Sequence, residues 1–503
     1  MAIEDRPEDR PPPARASALQ KAPGLPGLHG LPGALRRRSP LAGLDRRNLA
    51  APQVWAQSVS AVAPSAAMAT TPALVATAAG RDAVWAVGVA AVVALLVAYC
   101  VAQFARRMAA AGSLYTFTAK GLGPLPGVVC GAALLIGYAF LTMAALVGCA
   151  AYLHAFAVRA GWSSVPVAPT TAVLVVAATA AVVACVVRGV RLSSGVALAS
   201  EAVSIVFVVF VLATTLRGGA GGGPGGGLSG IAAGSVLALS AFIGFESAAA
   251  LGAEARRPFR VVPNVVRGTV LGAGVLYLFA TYAQTRSSDG RPPHAAAGGI
   301  APYSPAETWS AVVLDVGLAA SFFACALASG TALARLLFCM GREAVGPRGF
   351  GRTHPRHRSP HVAAFAMAPV LAGVPCVLLA TGSSPADVFG TLTGMFTYGH
   401  MLAYLLVCVA APVFLRRIGE LTVRPVLAAA VAVPVLALVS AAYSRSAAPG
   451  SDDWVLVGFA GLMALALAWF ARRRPKAIGV YDETTADDLL GAEFARAAVR
   501  TGG

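Results

Sequence analysis

Twelve apolar runs follow one another along this chain, each near the length of a bilayer crossing, with short arginine-bearing segments between them. A helix needs about 20 residues to cross about 30 Å of hydrocarbon. The runs fall at about 50–78, 82–105, 125–157, 166–187, 195–216, 230–252, 264–284, 315–340, 360–381, 386–415, 423–443 and 453–471. The third and tenth are long enough to tilt or to run past the membrane. Of the 503 residues, 57% are hydrophobic and 12% charged, a balance no ordinary water-soluble chain of this size has. The chain reads as an all-α polytopic membrane protein with about 12 transmembrane helices.

The formal charge of +17 does not indicate nucleic-acid binding, because the arginines form small groups between apolar runs rather than one basic surface. Every second loop is enriched. One set holds Arg36–Arg38, Arg46 and Arg47, then Arg106, Arg107 and Lys120, then Arg188 and Arg191. It continues with Arg256, Arg257, Arg260 and Arg267, the arginines of 342–358, Arg416, Arg417 and Arg424, and Arg472–Arg474 with Lys476. The alternate set holds only Arg81, Arg159, Arg217, Arg286, Arg291 and Arg445. Positive loops stay inside, so both termini are expected in the cytoplasm of a multi-pass cell-membrane protein. An even helix count agrees.

Residues 1–47, rich in Pro, Gly, Arg and Ala, read as a disordered tail without the pattern of a secretory signal. Arg46-Arg47 reads as an anchor for the first helix rather than a twin-arginine signal. The transmembrane domain is expected over 48–475, and a second polar tail over 476–503, to which no chemistry is assigned. Gly218–Gly227 reads as a flexible linker, Arg286–Pro305 as a longer loop, and Pro305–Val313 as a short surface helix. The eight cysteines lie in or beside apolar runs without a C-x-x-C pair, as small apolar side chains do. No cofactor or metal is expected.

Two runs look interrupted. The first carries Pro64 within Val62-Ala63-Pro64-Ser65-Ala66, where proline removes a helix hydrogen bond. The sixth carries Gly244 within Ser240-Ala241-Phe242-Ile243-Gly244-Phe245 and places Glu246 at bilayer depth. Irregular backbone at that depth survives only where it is buried in protein or lines a cavity. Interruptions at matching places in two halves, here runs 1–5 and 6–10, are a pointer to a transport site. Free N–H groups and free carbonyls at a helix break suit a zwitterion.

The chain resembles the amino acid–polyamine–organocation (APC) superfamily from about Ala50 to Lys476. The resemblance rests on Ala111-Gly112-Ser113-Leu114-Tyr115 running to Lys120-Gly121-Leu122-Gly123-Pro124, and on Phe242-Ile243-Gly244-Phe245-Glu246-Ser247. It rests further on Gly252-Ala253-Glu254-Ala255-Arg256-Arg257-Pro258, and on Ala334-Arg335-Leu336-Leu337-Phe338 followed by Gly341-Arg342-Glu343 and the His354–Ala363 segment. It implies a LeuT-like fold of two inverted five-helix repeats, about 50–216 and 230–415, with two peripheral helices over 423–471. It also implies alternating access around the first and sixth helices. Carried over, the backbone N–H groups of Ser65 and Ala66 would receive a substrate carboxylate. The carbonyls near Val62, Ser240 and Ile243 would receive an amine, and Glu246 would couple the sixth helix to the bundle. Three places depart from the family pattern. The first break is not glycine-rich, no bulky aromatic stands near Ser240, and Ser204 stands where some relatives carry a membrane lysine.

Other polar residues keep two readings. Glu201 is either a functional intramembrane acid or an interfacial partner of Arg188 or Arg191. Arg335 either snorkels or pairs with an acid. His354, His357 and His361 have metal-like spacing but sit in an arginine-rich loop without other ligands. His154 and His400 read as hydrogen-bonded structural residues, and Phe396, Tyr398 and Tyr404 as packing or as closure of the outer path.

The expected function is secondary active transport of an amino acid or related amine, with a coupling proton or cation left open, and not enzymatic catalysis. The alternatives are an amine or polyamine exchanger of the same fold and, from a different class, an integral-membrane enzyme.

Overall fold

The computed structural model describes residues 41, 43–162, 166–215, 225–287, 308–445, 452–473 and 478–486. Most of the N-terminal tail, most of the glycine-rich linker and most of the 286–305 loop lie outside them. Twelve helical spans among the described residues are long and apolar enough to cross a membrane. The first is split into α1 (Ala51–Val62) and α2 (Pro64–Ala79). Then come α3 (Ala83–Ala105), a short strand β1 (Met108–Ala109) and the short, largely buried α4 (Leu114–Leu122). They are followed by α5 (Pro124–Arg159), α6 (Val167–Arg188) and α7 (Val190–Thr215). The sixth span comprises α8 (Gly227–Ser240) and a 3-10 segment, Phe245–Leu251. The rest are α9 (Pro258–Ser287), α10 (Thr308–Arg342), α11 (His361–Ala380), α12 (Pro385–Arg417), α13 (Val423–Tyr443) and α14 (Asp453–Arg473). A final strand, β2, covers Glu483–Thr484.

Twelve crossings return the chain to the face it started from, here called the terminus face. The first span starts on that face and the sixth on the opposite one. Spans 6–10 therefore run inverted relative to spans 1–5, with α13 and α14 added.

Local chemistry sets the helix starts. Proline occupies the first turn of α1, α2, α5 and α12, where its missing N–H is one of the groups a helix leaves unpaired anyway. At α12 the Ser384 side chain accepts from the Asp387 N–H at 3.2 Å, while the Asp387 carboxylate accepts from the Ser384 N–H at 3.2 Å. Pro258 opens α9, six residues before the sequence-expected start at 264. The region expected as a surface helix at 305–313 is, from Thr308 on, the first turns of α10.

The long helices α5, α10 and α12 pack through the middle of the molecule. Small residues let them close in: a side chain on Gly399 of α12 would meet the Ala133 carbonyl of α5 at 2.6 Å. Large apolar side chains face outward, among them Trp85, Val173 and Leu465, as a lipid-facing surface requires. Inside, Arg335 of α10 does not snorkel. It donates to both oxygens of Glu254 at 2.7 and 3.2 Å and to the Thr331 carbonyl at 3.2 Å, with both side chains buried.

The second polar tail is not free of the fold. Residues 478–486 lie as a strap across the terminus face. β2 pairs antiparallel with β1, Met108 opposite Thr484. The N–H groups of Asp482 and Thr485 donate to the carbonyls of Ala109 and Arg107 at 2.8 and 2.9 Å. Arg46 binds Asp482 at 2.6 Å, and Arg47 binds Glu483. The Val480 N–H donates to Glu343 at 2.6 Å, beside the Tyr115 hydroxyl that also binds Glu343.

Burial pushes the Glu343 carboxyl up to about 7, against the pull of Tyr115, the strap N–H groups and Lys120. Its ordinary value is 4.5. A group whose pKa is raised in the folded state favours that state below 4.5, and the benefit is lost as pH climbs through about 7. Glu343→Gln should therefore match the parent protein at pH 5 and exceed it at pH 8 by up to about 3 kcal/mol. Melting curves of the two proteins across that range check this, and parallel curves would remove Glu343 as the source.

Candidate functional site

The first break is a left-handed kink. α1 ends at Val62, Ala63 takes φ +48° and ψ +60°, and Pro64 begins α2. Proline ends the hydrogen-bond ladder here, because it has no N–H to continue it. The second break spans residues 241–244. Gly244 adopts φ +112° and lies so close to α1 that an added Cβ would stand 2.6 Å from the Ala61 carbonyl oxygen. Only glycine accepts that backbone and that contact together. The two breaks thus face each other at mid-depth.

Next to them lies a cavity of about 120 Å³. Val62, Ala63, Ala66, Ser240 and Ile243 border it, as do Leu141, Phe322, Cys325 and Phe396. It extends through Thr70, Thr71 and Leu74 to Phe389 and Tyr443, toward the face opposite the termini. Its wall is apolar with a few hydroxyls, and no Lys, Arg or His among the described residues borders it. On the terminus side the halves beyond the breaks are knitted shut. The Ser58 hydroxyl donates to the Phe245 carbonyl at 2.7 Å, and the Ser247 hydroxyl to the Gln57 carbonyl at 3.2 Å. The backbone of Leu49 pairs with Glu254 and Arg256 at 2.9 Å each.

Glu201 reaches the first break from α7. Its Oε1 accepts from the Ser65 N–H at 3.1 Å and the Ser65 hydroxyl at 2.9 Å. It is buried and far from any interface with Arg188 or Arg191, which excludes the interfacial reading. The Ala66 N–H donates to the Ser321 hydroxyl of α10 at 3.3 Å. The two N–H groups expected to meet a substrate carboxylate are thus held by the protein's own side chains.

Glu246 sits at the second break in a polar cluster. The Tyr138 hydroxyl donates to its Oε1 at 2.7 Å, and the Gly244 N–H to its Oε2 at 3.2 Å, where the Tyr404 hydroxyl also binds. His400 Nε2 lies 3.6 Å from Oε1, and His400 Nδ1 is 2.8 Å from the Phe396 carbonyl. A carbonyl only accepts, so Nδ1 carries a hydrogen. In the neutral ring Nε2 then turns a lone pair toward the carboxylate.

Of the residues expected at the site, Val62, Ala63, Ala66, Ser240 and Ile243 border the cavity. Pro64, Ser65, Phe242, Gly244 and Phe245 shape the breaks instead. Phe242 meets the Tyr277 ring at 5.0 Å, and Phe245 stacks on Tyr404 at 5.3 Å. Tyr404 does not close the outer path but anchors Glu246. Ser321 and Tyr138 were not foreseen, since a lone hydroxyl in an apolar run carries no mark of what it faces. His354, His357 and His361 cluster through their rings, and the His354 Nδ1 accepts from the N–H groups of Arg356 and His357 at 3.2 Å each.

Comparison with known proteins gives the family of the chain. The family described as "Amino acid permease" matches residues 53–446. The chain is 24% identical to a branched-chain amino acid permease, BcaP, of Bacillus subtilis, over 66% of this chain and 73% of that one. It is 26% identical to the chloroplastic cationic amino acid transporter 7 of Arabidopsis thaliana, over 56% and 52%. It is also 26% identical to the low-affinity putrescine importer PlaP of Escherichia coli, over 53% and 61%. The match thus spans little more than half of the last two relatives. With most of its length matched, the chain belongs to the amino acid permease family of membrane transporters.

Proposed function

We propose that the protein is a secondary active transporter that moves an amino acid or a related amine across the cell membrane by alternating access. The observation that carries this reading is the cavity bounded by two backbone breaks, Ala63-Pro64 and 241–244. Each break ends one helix and starts the next, so helix-end charges converge on one small space. In this reading the arginine-rich terminus face lies in the cytoplasm, as positive loops favour. The cavity then leads outward, and the inner side is held by the Glu254–Arg335 pair, the α1 contacts and the strap. Opening inward requires α1 and the 3-10 segment to part from that scaffold.

In this reading Glu246 couples the sixth span to the bundle through the Tyr138 and Tyr404 hydroxyls. The enzyme alternative requires a nucleophile and its base at one membrane face, and family membership argues against it.

The purified protein in liposomes should take up or exchange a labelled amino acid or amine. Glu246→Gln should lower that uptake at least about tenfold while the protein still folds, and flatten its dependence on pH. Uptake and pH profile equal to those of the parent protein would take Glu246 out of the mechanism.

A further inference from the structure

At each break the N–H group open to a substrate carboxylate already holds a carboxylate of the protein. At the start of α2 every N–H of the first turn is bound. Pro64 has none, Ser65 N–H is on Glu201, Ala66 N–H is on Ser321, and Ala67 N–H is on the Ala63 carbonyl at 3.0 Å. At the second break the Gly244 N–H is on Glu246. Glu201 and Glu246 are almost wholly buried, at 1% and 0% exposure. Glu201 Oε2 has no hydrogen-bond partner, which leaves an acceptor unclaimed beside the break. The cavity border adds no cation, only apolar groups with hydroxyls.

A substrate carboxylate entering this space would lose its water and find no free backbone donor at the start of α2. Burying a charge without a partner is strongly unfavourable. An ammonium meets the reverse. The carbonyl ends of α1 and α8 are the negative ends of their helices, and Glu201 Oε2 adds a buried acceptor without a partner. The aliphatic remainder fits a wall of Ala61, Val62, Leu141 and Phe322.

Building on the transport reading above, we propose that this site takes organic amines that lack a carboxylate, in preference to the α-amino acids from which such amines derive. Glu201 is the residue that sets the preference, because its Oε1 fills the seat a carboxylate would need and its Oε2 offers an ammonium an acceptor.

The test compares matched pairs that differ only by the carboxylate: leucine with isopentylamine, and lysine with cadaverine. Binding to the purified full-length protein is read by thermal shift and by competition for uptake in liposomes. The amine of at least one pair should bind at least about tenfold more tightly than its amino acid. Glu201→Ala, which frees the Ser65 N–H and removes the Oε2 acceptor, should shift that ratio at least about tenfold toward the amino acid. Glu201→Gln keeps an oxygen for Ser65, so it should weaken the amine without admitting the amino acid. If the amino acid binds as well as or better than the amine in the parent protein, the proposal falls and the transport reading stands. An unchanged ratio in both Glu201 variants also overturns it. If no member of either pair binds or moves, with the protein shown to be folded, the transport reading falls with it. Should Glu201→Ala not fold, the parent ratio and the Gln variant still decide.

Discussion

Glu254→Ala should be among the most destabilising single changes in this protein, by about 3–5 kcal/mol. The alanine removes both acceptors of the Arg335 guanidinium, now at 2.7 and 3.2 Å. Arg335 stays charged, is 1% exposed, and keeps only the Thr331 carbonyl among its present partners. The penalty comes less from the lost attraction than from the stranded cation. Removing both charges together should be far milder, since well-packed apolar residues replace a buried pair at little loss. Glu254→Leu combined with Arg335→Met should recover most of the melting temperature that Glu254→Ala loses. A double variant no better than the single one would show that the pair holds the fold by something other than charge compensation.

Gly244→Leu should be nearly as damaging, but to transport rather than to the whole fold. The backbone there has φ +112°, a conformation that strains any other residue by about 1–3 kcal/mol. The new Cβ would also sit 2.6 Å from the Ala61 oxygen and 2.7 Å from its carbon, both backbone atoms that no rotamer change relieves. Relief comes only by pushing α1 away from the second break, which distorts the cavity. Substrate affinity and uptake should fall by more than about tenfold, the equivalent of over 1.4 kcal/mol. Gly461→Leu is the control. It lies in α14 with nothing within 4 Å of its would-be Cβ, and it should transport as the parent protein does. Equal affinity in the two variants would separate the substrate from the second break.

Much of this architecture was legible because the bilayer leaves few choices. A span must be apolar for its whole length, so runs such as 83–105 and 423–443 show their ends directly. The α9 start was harder. Arg260 and Asn264 hid it, although Pro258 had the right chemistry for a first turn. The breaks were visible at Pro64 and Gly244, since both residues defeat regular helix by themselves. What the acids touch was not visible. Whether Glu201 meets Arg191 or Ser65 depends on how α7 is rotated against α2, and that is set by packing across 136 positions of sequence. The same holds for Tyr404, whose hydroxyl could face lipid, core or Glu246 with no change in local pattern. The strap was illegible for another reason. Two paired residues on each strand are too few to carry a period, and its polar residues look like those of any soluble tail.

The strap has a consequence for how the molecule is made. Arg46 and Asp482 are 436 positions apart, and every crossing of the membrane lies between them. A ribosome delivers the arginines first and the aspartate last. The clasp therefore closes only on a chain that has already threaded all twelve crossings in the right sense. A copy with one crossing missed would carry its tail to the wrong side, leave β1 without its partner, and expose an open strand edge to quality-control proteases.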